Sequence, residues 1–282
     1  MKQRLTTIAL VFTFFIGLSL LLYPTLSDYY NSLHQTRAIA DYTQQVSQLD
    51  EGQYDAVWEA AAAYNMNLTQ RVDSLDLLDE EKAEYERQLN IGSDGLMGYL
   101  EISSIDVKLP VYHGTEENVL QTALGHIEGT SLPVGGPGTH CVISGHRGLP
   151  SARLLTDLDK VVVGDTFLLQ ILEETLTYEV DQILIVEPDQ IEALRVEPEK
   201  DYCTLVTCTP YGINSHRLLV RGHRIENAAV DTGVRVKADA MQIDPVVVAP
   251  VLAVPMIVVL FILVMIRHRK PKERRQKDAA YS

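Results

Sequence analysis

Two charge-free apolar runs, residues 5–26 and 245–266, bracket this 282-residue chain. Each is 22 residues long. At about 1.5 Å per residue, a helix of that length reaches about 33 Å, enough to cross a hydrocarbon core of about 30 Å. The first run is longer than the apolar core of a signal peptide. Its end, Leu22-Tyr23-Pro24-Thr25, is not a small-x-small cleavage site. It therefore reads as an uncleaved anchor. The second run carries Pro250 and Pro255, which a membrane helix tolerates better than a soluble one. Lys2 and Arg4 precede the first run, and a tail with Arg267, Arg269, Lys270, Lys272, Arg274, Arg275 and Lys277 follows the second. Basic residues flanking membrane spans stay in the cytoplasm. The expected topology places residues 1–4 and 267–282 inside, transmembrane helices at 5–26 and 245–266, and everything between them on the extracellular side of the cell membrane.

Both ends are basic, yet the whole chain carries a net charge of −14, so the acidic excess lies in the exported middle. Such a surface repels nucleic acid and anionic lipid, which excludes both as partners. Three cysteines, Cys141, Cys203 and Cys208, are an odd number for a compartment where disulfides persist. At least one thiol therefore has no partner within the chain. No C-x-x-C pair exists, so neither a zinc site nor a thioredoxin-like centre is expected, and no metal or cofactor is called for.

The exported part has two textures. Residues 27–95 contain no proline and are rich in helix formers, giving a helical preamble. Trp58 there reads as a packing residue, and Asp73, Asp76, Asp79, Glu80 and Glu81 read as a solvated helix face with its caps. From Gly92-Ser-Asp-Gly95 onward, short apolar runs alternate with Gly and Pro turns. Strands are expected near 97–102, 107–112, 140–144, 166–171, 176–186, 202–207 and 217–224, with short helices at 116–124 and 151–159. Many short strands argue for a mainly β domain, a sandwich or a closed barrel, over 96–226. Residues 187–200 form a longer excursion, and residues 227–244 a linker to the second span.

Cys208 ends an apolar strand in Thr204-Leu-Val-Thr-Cys208-Thr-Pro-Tyr-Gly212. The Thr-Pro-Tyr-Gly sequence stops that strand and leaves the thiol at a sheet rim. Cys203 and Cys141 lie within strands and read as small buried hydrophobes. A thiol nucleophile needs a partner that holds the thiolate and then protonates the leaving amine. Among the eight histidines, His146 has the matching placement, in Ser144-Gly-His-Arg-Gly-Leu-Pro150, also at a strand end. His140, His216 and His223 read as packed or exposed imidazoles. Acyl transfer also needs donors aimed at a developing oxyanion. Arg217 starts the next strand after Asn214-Ser-His and offers a rigid, permanently charged fork.

Residues 204–222 resemble the active-site strand pair of the sortases, above all of the class C, pilus-building branch. The segment from Ile143 to Pro150 resembles that branch's histidine segment. Met97-Gly-Tyr-Leu-Glu-Ile102 is similar to its first strand, and Ser131-Leu-Pro-Val-Gly-Gly136 to the loop before the histidine. The resemblance implies an eight-stranded β-barrel and a cysteine transpeptidase with Cys208, His146 and Arg217 as catalytic residues. It implies as partners pilin or surface proteins ending in a Leu-Pro-x-Thr-Gly-like (LPXTG-like) signal, and a lysine of another pilin as acceptor. In one respect the sequence departs from that branch. Its members often carry an Asp-Pro-aromatic lid upstream of the first strand, whereas this chain has no proline between Pro24 and Pro110. No residue is therefore assigned to such a lid. Leu132-Pro-Val-Gly-Gly136 faintly resembles a sorting signal, but it lies far upstream of the second apolar run and reads as a structural loop.

Overall fold

The computed structural model describes residues 2–68, 77–227, 254–259 and 261–262. The chain divides into two compact units, residues 1–27 with 233–282 and residues 28–232. Helix α1 runs from Lys2 to Val46 and continues through Pro24. Its segment Thr6–Val46 is the one helix among the described residues long and apolar enough to cross a membrane. Within the first unit Phe14 stacks on Phe261, ring centroids 4.7 Å apart. Most of the expected second span at 245–266 lies outside the described residues, as do the tail at 267–282 and the linker beyond Asn227.

In the second unit α1 ends at Val46 and α2 spans Glu51–Leu68. The start of α2 is fixed by reciprocal bonds: the Gln53 amide donates to Asp50 Oδ1 at 2.8 Å, and the Asp50 amide donates to Gln53 Oε1 at 3.1 Å. Such an exchange satisfies two donors that a helix start leaves open. Helix α3, Asp79–Tyr85, opens on Asp79, Glu80 and Glu81, negative charge where the helix dipole favours it.

Eight strands follow: β1 Leu96–Ile102, β2 Val107–His113, β3 Leu124–His126, β4 Thr139–Ser144, β5 Thr166–Ile171, β6 Glu174–Val186, β7 Asp201–Thr209 and β8 His216–Ile225. They close into a barrel in the order β1-β2-β3-β4-β7-β8-β6-β5. The β2–β3 and β4–β7 pairs are parallel and the others antiparallel. Seven of these strands match the expected ones, and β3 was not anticipated. The helix expected at 116–124 shrinks to α4, Glu117–Leu120. That expected at 151–159 is a series of turns leading to a 3-10 turn at Leu158–Lys160.

Alternation along the strands sorts side chains to two faces. Inside the barrel lie Leu100, Val111, Ile143, Cys203, Leu205 and Val220, continuous with Tyr42, Tyr64 and Tyr85 from the helical preamble. Tyr42 is fastened as well as packed: its hydroxyl donates to Met97 O at 2.8 Å and accepts from the Leu172 amide at 2.7 Å. Trp58 packs against the same core, as expected. A second, smaller cluster lies on the outer face. There Val142, Val206 and Leu219 are covered by Leu184, Val186, Ala193 and Leu194. The excursion between β6 and β7 thus crosses the outside of the barrel. Leu132 is buried, and Asn65 bonds its amide at 2.7 Å and its carbonyl at 3.1 Å, so the signal-like Leu132-Pro-Val-Gly-Gly136 is part of the fold.

Candidate active site

The end of β7 meets β8 on one side and β4 on the other. On the β8 side Cys208 pairs directly with Arg217, which sets their Cα atoms about 5 Å apart. On the β4 side the parallel register reaches Ser144 opposite Val206. Two further bonds carry it past the strand end: the Gly145 amide donates to Val206 O at 3.0 Å, and Thr207 Oγ1 donates to Gly145 O at 2.7 Å. Continuing that register two residues past Ser144 brings the His146 backbone level with Cys208. The three residues singled out from the sequence therefore share one rim of the barrel.

Gly145 makes this approach feasible. A Cβ there would lie 2.5 Å from Leu124 Cδ2 and 2.9 Å from Leu155 Cδ1. A side chain at this position would have to displace those leucines from the core. Alternation places Cys208 on the outer face with Val206, and Arg217 with Leu219, so thiol and guanidinium open onto the outer apolar cluster. Cys208 is half-buried, whereas Cys141 and Cys203 face each other inside the barrel and are buried. Burial pushes the Cys203 thiol well above its ordinary range. The accessible thiol is Cys208.

His146 is partly exposed, and its Nε2 lies 3.9 Å from Glu117 Oε2 on α4. Arg217 Nη1 donates to Asn214 O at 3.3 Å and His216 O at 3.2 Å, so the loop between β7 and β8 holds the guanidinium. A residue that the sequence reading passed over links the two halves of the site. The Arg147 side chain is 9% exposed and pairs with Asp159. It donates from Nη1 to Thr209 Oγ1 at 3.3 Å and from Nε to Thr156 O at 3.2 Å. It thereby ties the histidine segment to the residue after Cys208. The adjacent His-Arg in the motif was the available signal for it. Nothing in the sequence marked Glu117.

A half-buried thiol and a guanidinium on paired residues, with a histidine on the adjoining segment, are the groups that acyl transfer through a thioester uses. Comparison with known proteins places the chain in a family. The Sortase domain profile matches residues 100–225. Sortase C1 of Streptococcus agalactiae is 52% identical, with a TM-score of 0.67 over 68% of this chain and 100% of its own. Sortase C of Streptococcus pneumoniae is 46% identical, with a TM-score of 0.62 over 68% of this chain and 98% of its own. Sortase D of Bacillus subtilis is 30% identical over 131 residues, a match that spans 63% of that protein. The chain belongs to the sortase family of cysteine transpeptidases. Within that family its solved neighbours include class C sortases.

Proposed function

We propose that this chain polymerises pilins at the cell membrane. The Cys208 thiol passes its proton to His146, and its sulfur attacks the carbonyl carbon of the threonine in an LPXTG-like signal at the end of one pilin. The tetrahedral oxyanion is stabilised by the Arg217 guanidinium. The Thr–Gly C–N bond breaks, a thioester to Cys208 forms, and His146 gives a proton to the departing amine. A lysine ε-amine of another pilin then attacks the thioester. His146 takes up its proton, the C–S bond breaks, and an isopeptide bond joins the two subunits. Each step exchanges one acyl bond for another and calls for no cofactor.

The observation that carries this reading is the register placing Cys208 opposite Arg217 and one residue past the last bond to β4. The relative from Streptococcus pneumoniae, described for its pilin substrate specificity, supports pilins as substrates. In the proposed topology residues 5–26 and 245–266 span the membrane, residues 96–226 form the extracellular catalytic domain, and both termini are cytoplasmic.

The full-length protein, incubated with a signal-bearing pilin and an acceptor pilin, is expected to give a thioester adduct and a Thr–Lys isopeptide product by mass spectrometry. Cys208→Ala is expected to lose both. Product formation by that variant would remove Cys208 from its role. Linkage only to a peptidoglycan stem amine, never to a pilin lysine, would instead make this an anchoring enzyme.

A further inference from the structure

We propose that Asp28 and Asn31, on the turns of α1 that directly follow the apolar run, are positioning residues for the segment carrying His146. The inference rests on the reading of His146 as the proton-transfer group. Residues 28, 31 and 35 lie three and four apart and so share one helix face. That face is half-buried, while Tyr29, Tyr30, Leu33 and His34 around it are exposed. Lower on the same stripe come Ile39, Tyr42 and Val46, all buried, which hold the helix to the barrel by packing. The upper three are polar, and each reaches a backbone group far away in sequence. Asp28 Oδ1 accepts from the Arg153 amide at 2.8 Å. Asn31 Nδ2 donates to Ser151 O at 2.8 Å. Gln35 Nε2 donates to Thr122 O at 2.7 Å, behind α4, which carries Glu117.

The stretch from Ser151 to Thr156 is in turn what the histidine segment rests on. The Leu155 amide donates to His146 O at 3.2 Å, Arg147 Nε donates to Thr156 O at 3.2 Å, and the Gly148 amide donates to Thr156 Oγ1 at 3.2 Å. The bonds from this segment's backbone to β7 end at Gly145, so His146 is held from β7 on one side and from this turn on the other. The turn has little regular structure of its own, and α1 supplies the missing rigidity. The helix that enters the domain thus fixes the loop behind the imidazole. Small displacements of a proton-transfer group cost rate steeply, about 100-fold for about 1 Å.

The test uses the full-length chain in lipid nanodiscs, with signal peptide and acceptor amine. Asp28→Leu combined with Asn31→Leu is expected to lower kcat at least about tenfold, leaving KM for the signal peptide unchanged. Amide exchange at Gly148 and Leu155 is expected to accelerate, while that of Cys203–Val206 in β7 stays as in the wild type. Asp28→Asn keeps an acceptor for the Arg153 amide and is expected to retain wild-type kcat. Tyr42→Phe, lower on the same helix, is expected to lower the melting temperature without changing kcat. Wild-type kcat and wild-type exchange in the double variant would overturn the proposal, as would accelerated exchange throughout the barrel. His146→Ala, assayed in parallel, separates the two ideas. If it turns over normally, the reading of His146 fails. If it is inactive while the double variant is normal, only the positioning role fails.

Discussion

Arg217 and Cys208 are cross-strand neighbours, and their pairing makes a demand that charge alone does not meet. Arg217→Ala is expected to lower the single-turnover rate of thioester formation by about 10²- to 10³-fold, the usual cost of losing an oxyanion donor. Arg217→Lys keeps the charge and loses the planar fork, so it is expected to recover only part of that rate. Wild-type thioester formation in Arg217→Ala would exclude the guanidinium from the oxyanion site. Tyr42 illustrates a structural demand of similar specificity. Tyr42→Phe leaves the Leu172 amide and Met97 carbonyl unpaired in a buried place. It is expected to cost about 1–3 kcal/mol in urea unfolding. The three proposed catalytic side chains were legible in the sequence because each sits where an apolar run meets turn residues. Arg147 was not, because its partner Thr209 is 62 positions away and only the barrel joins them.

Among the elements, β1 and β5 close the barrel, and Gly98 lies where they approach most tightly. A Cβ there would lie 2.3 Å from Gln170 O and 2.5 Å from Ile171 Cδ1. The backbone of β5 cannot yield without losing its pairing, so Gly98→Ala is expected to destabilise by about 1–3 kcal/mol, measured by chemical denaturation. An unchanged midpoint would mean that the seam is looser than the register indicates. Seven strands were legible from alternation and turn residues. The eighth, Leu124-Gly-His126, has three residues and no periodicity. It is a strand because β2 and β4 supply partners on both sides, which no local signal encodes. The error at 151–159 has a different cause. Ala152, Leu155 and Leu158 are spaced as on a helix face and are all buried. Ser151 O and the Leu155 amide, which a helix would pair with each other, are instead bonded outward, to Asn31 and to His146 O. Tertiary bonds there replace the helical ones.

For the whole molecule, buried histidines set a pH dependence. Burial lowers both His113 and His140 below the ordinary 6.5, against the backbone acceptors at Gly95 and Arg195 that favour the charged form. At His140 the nearby Arg221 lowers it further, while Glu197 and Asp181 oppose. A histidine held neutral in the fold binds fewer protons than in the unfolded chain. Its stabilising contribution is therefore full above about 6.5 and is lost as pH falls below that value. Asp201, raised by burial, acts in the opposite sense. Unfolding free energy is expected to fall between pH 7 and 5.5, by at most about 1.4 kcal/mol per pH unit for each histidine. His140→Gln is expected to flatten that fall, and a slope equal to the wild type would remove His140 from the account. The parallel β4–β7 ladder has a temporal consequence. Its two strands are separated in sequence by β5 and β6, so its contacts pay a large loop-closure entropy and form late. On the roles proposed above for Cys208 and His146, a half-folded chain carries the nucleophile without its proton donor until that ladder is made.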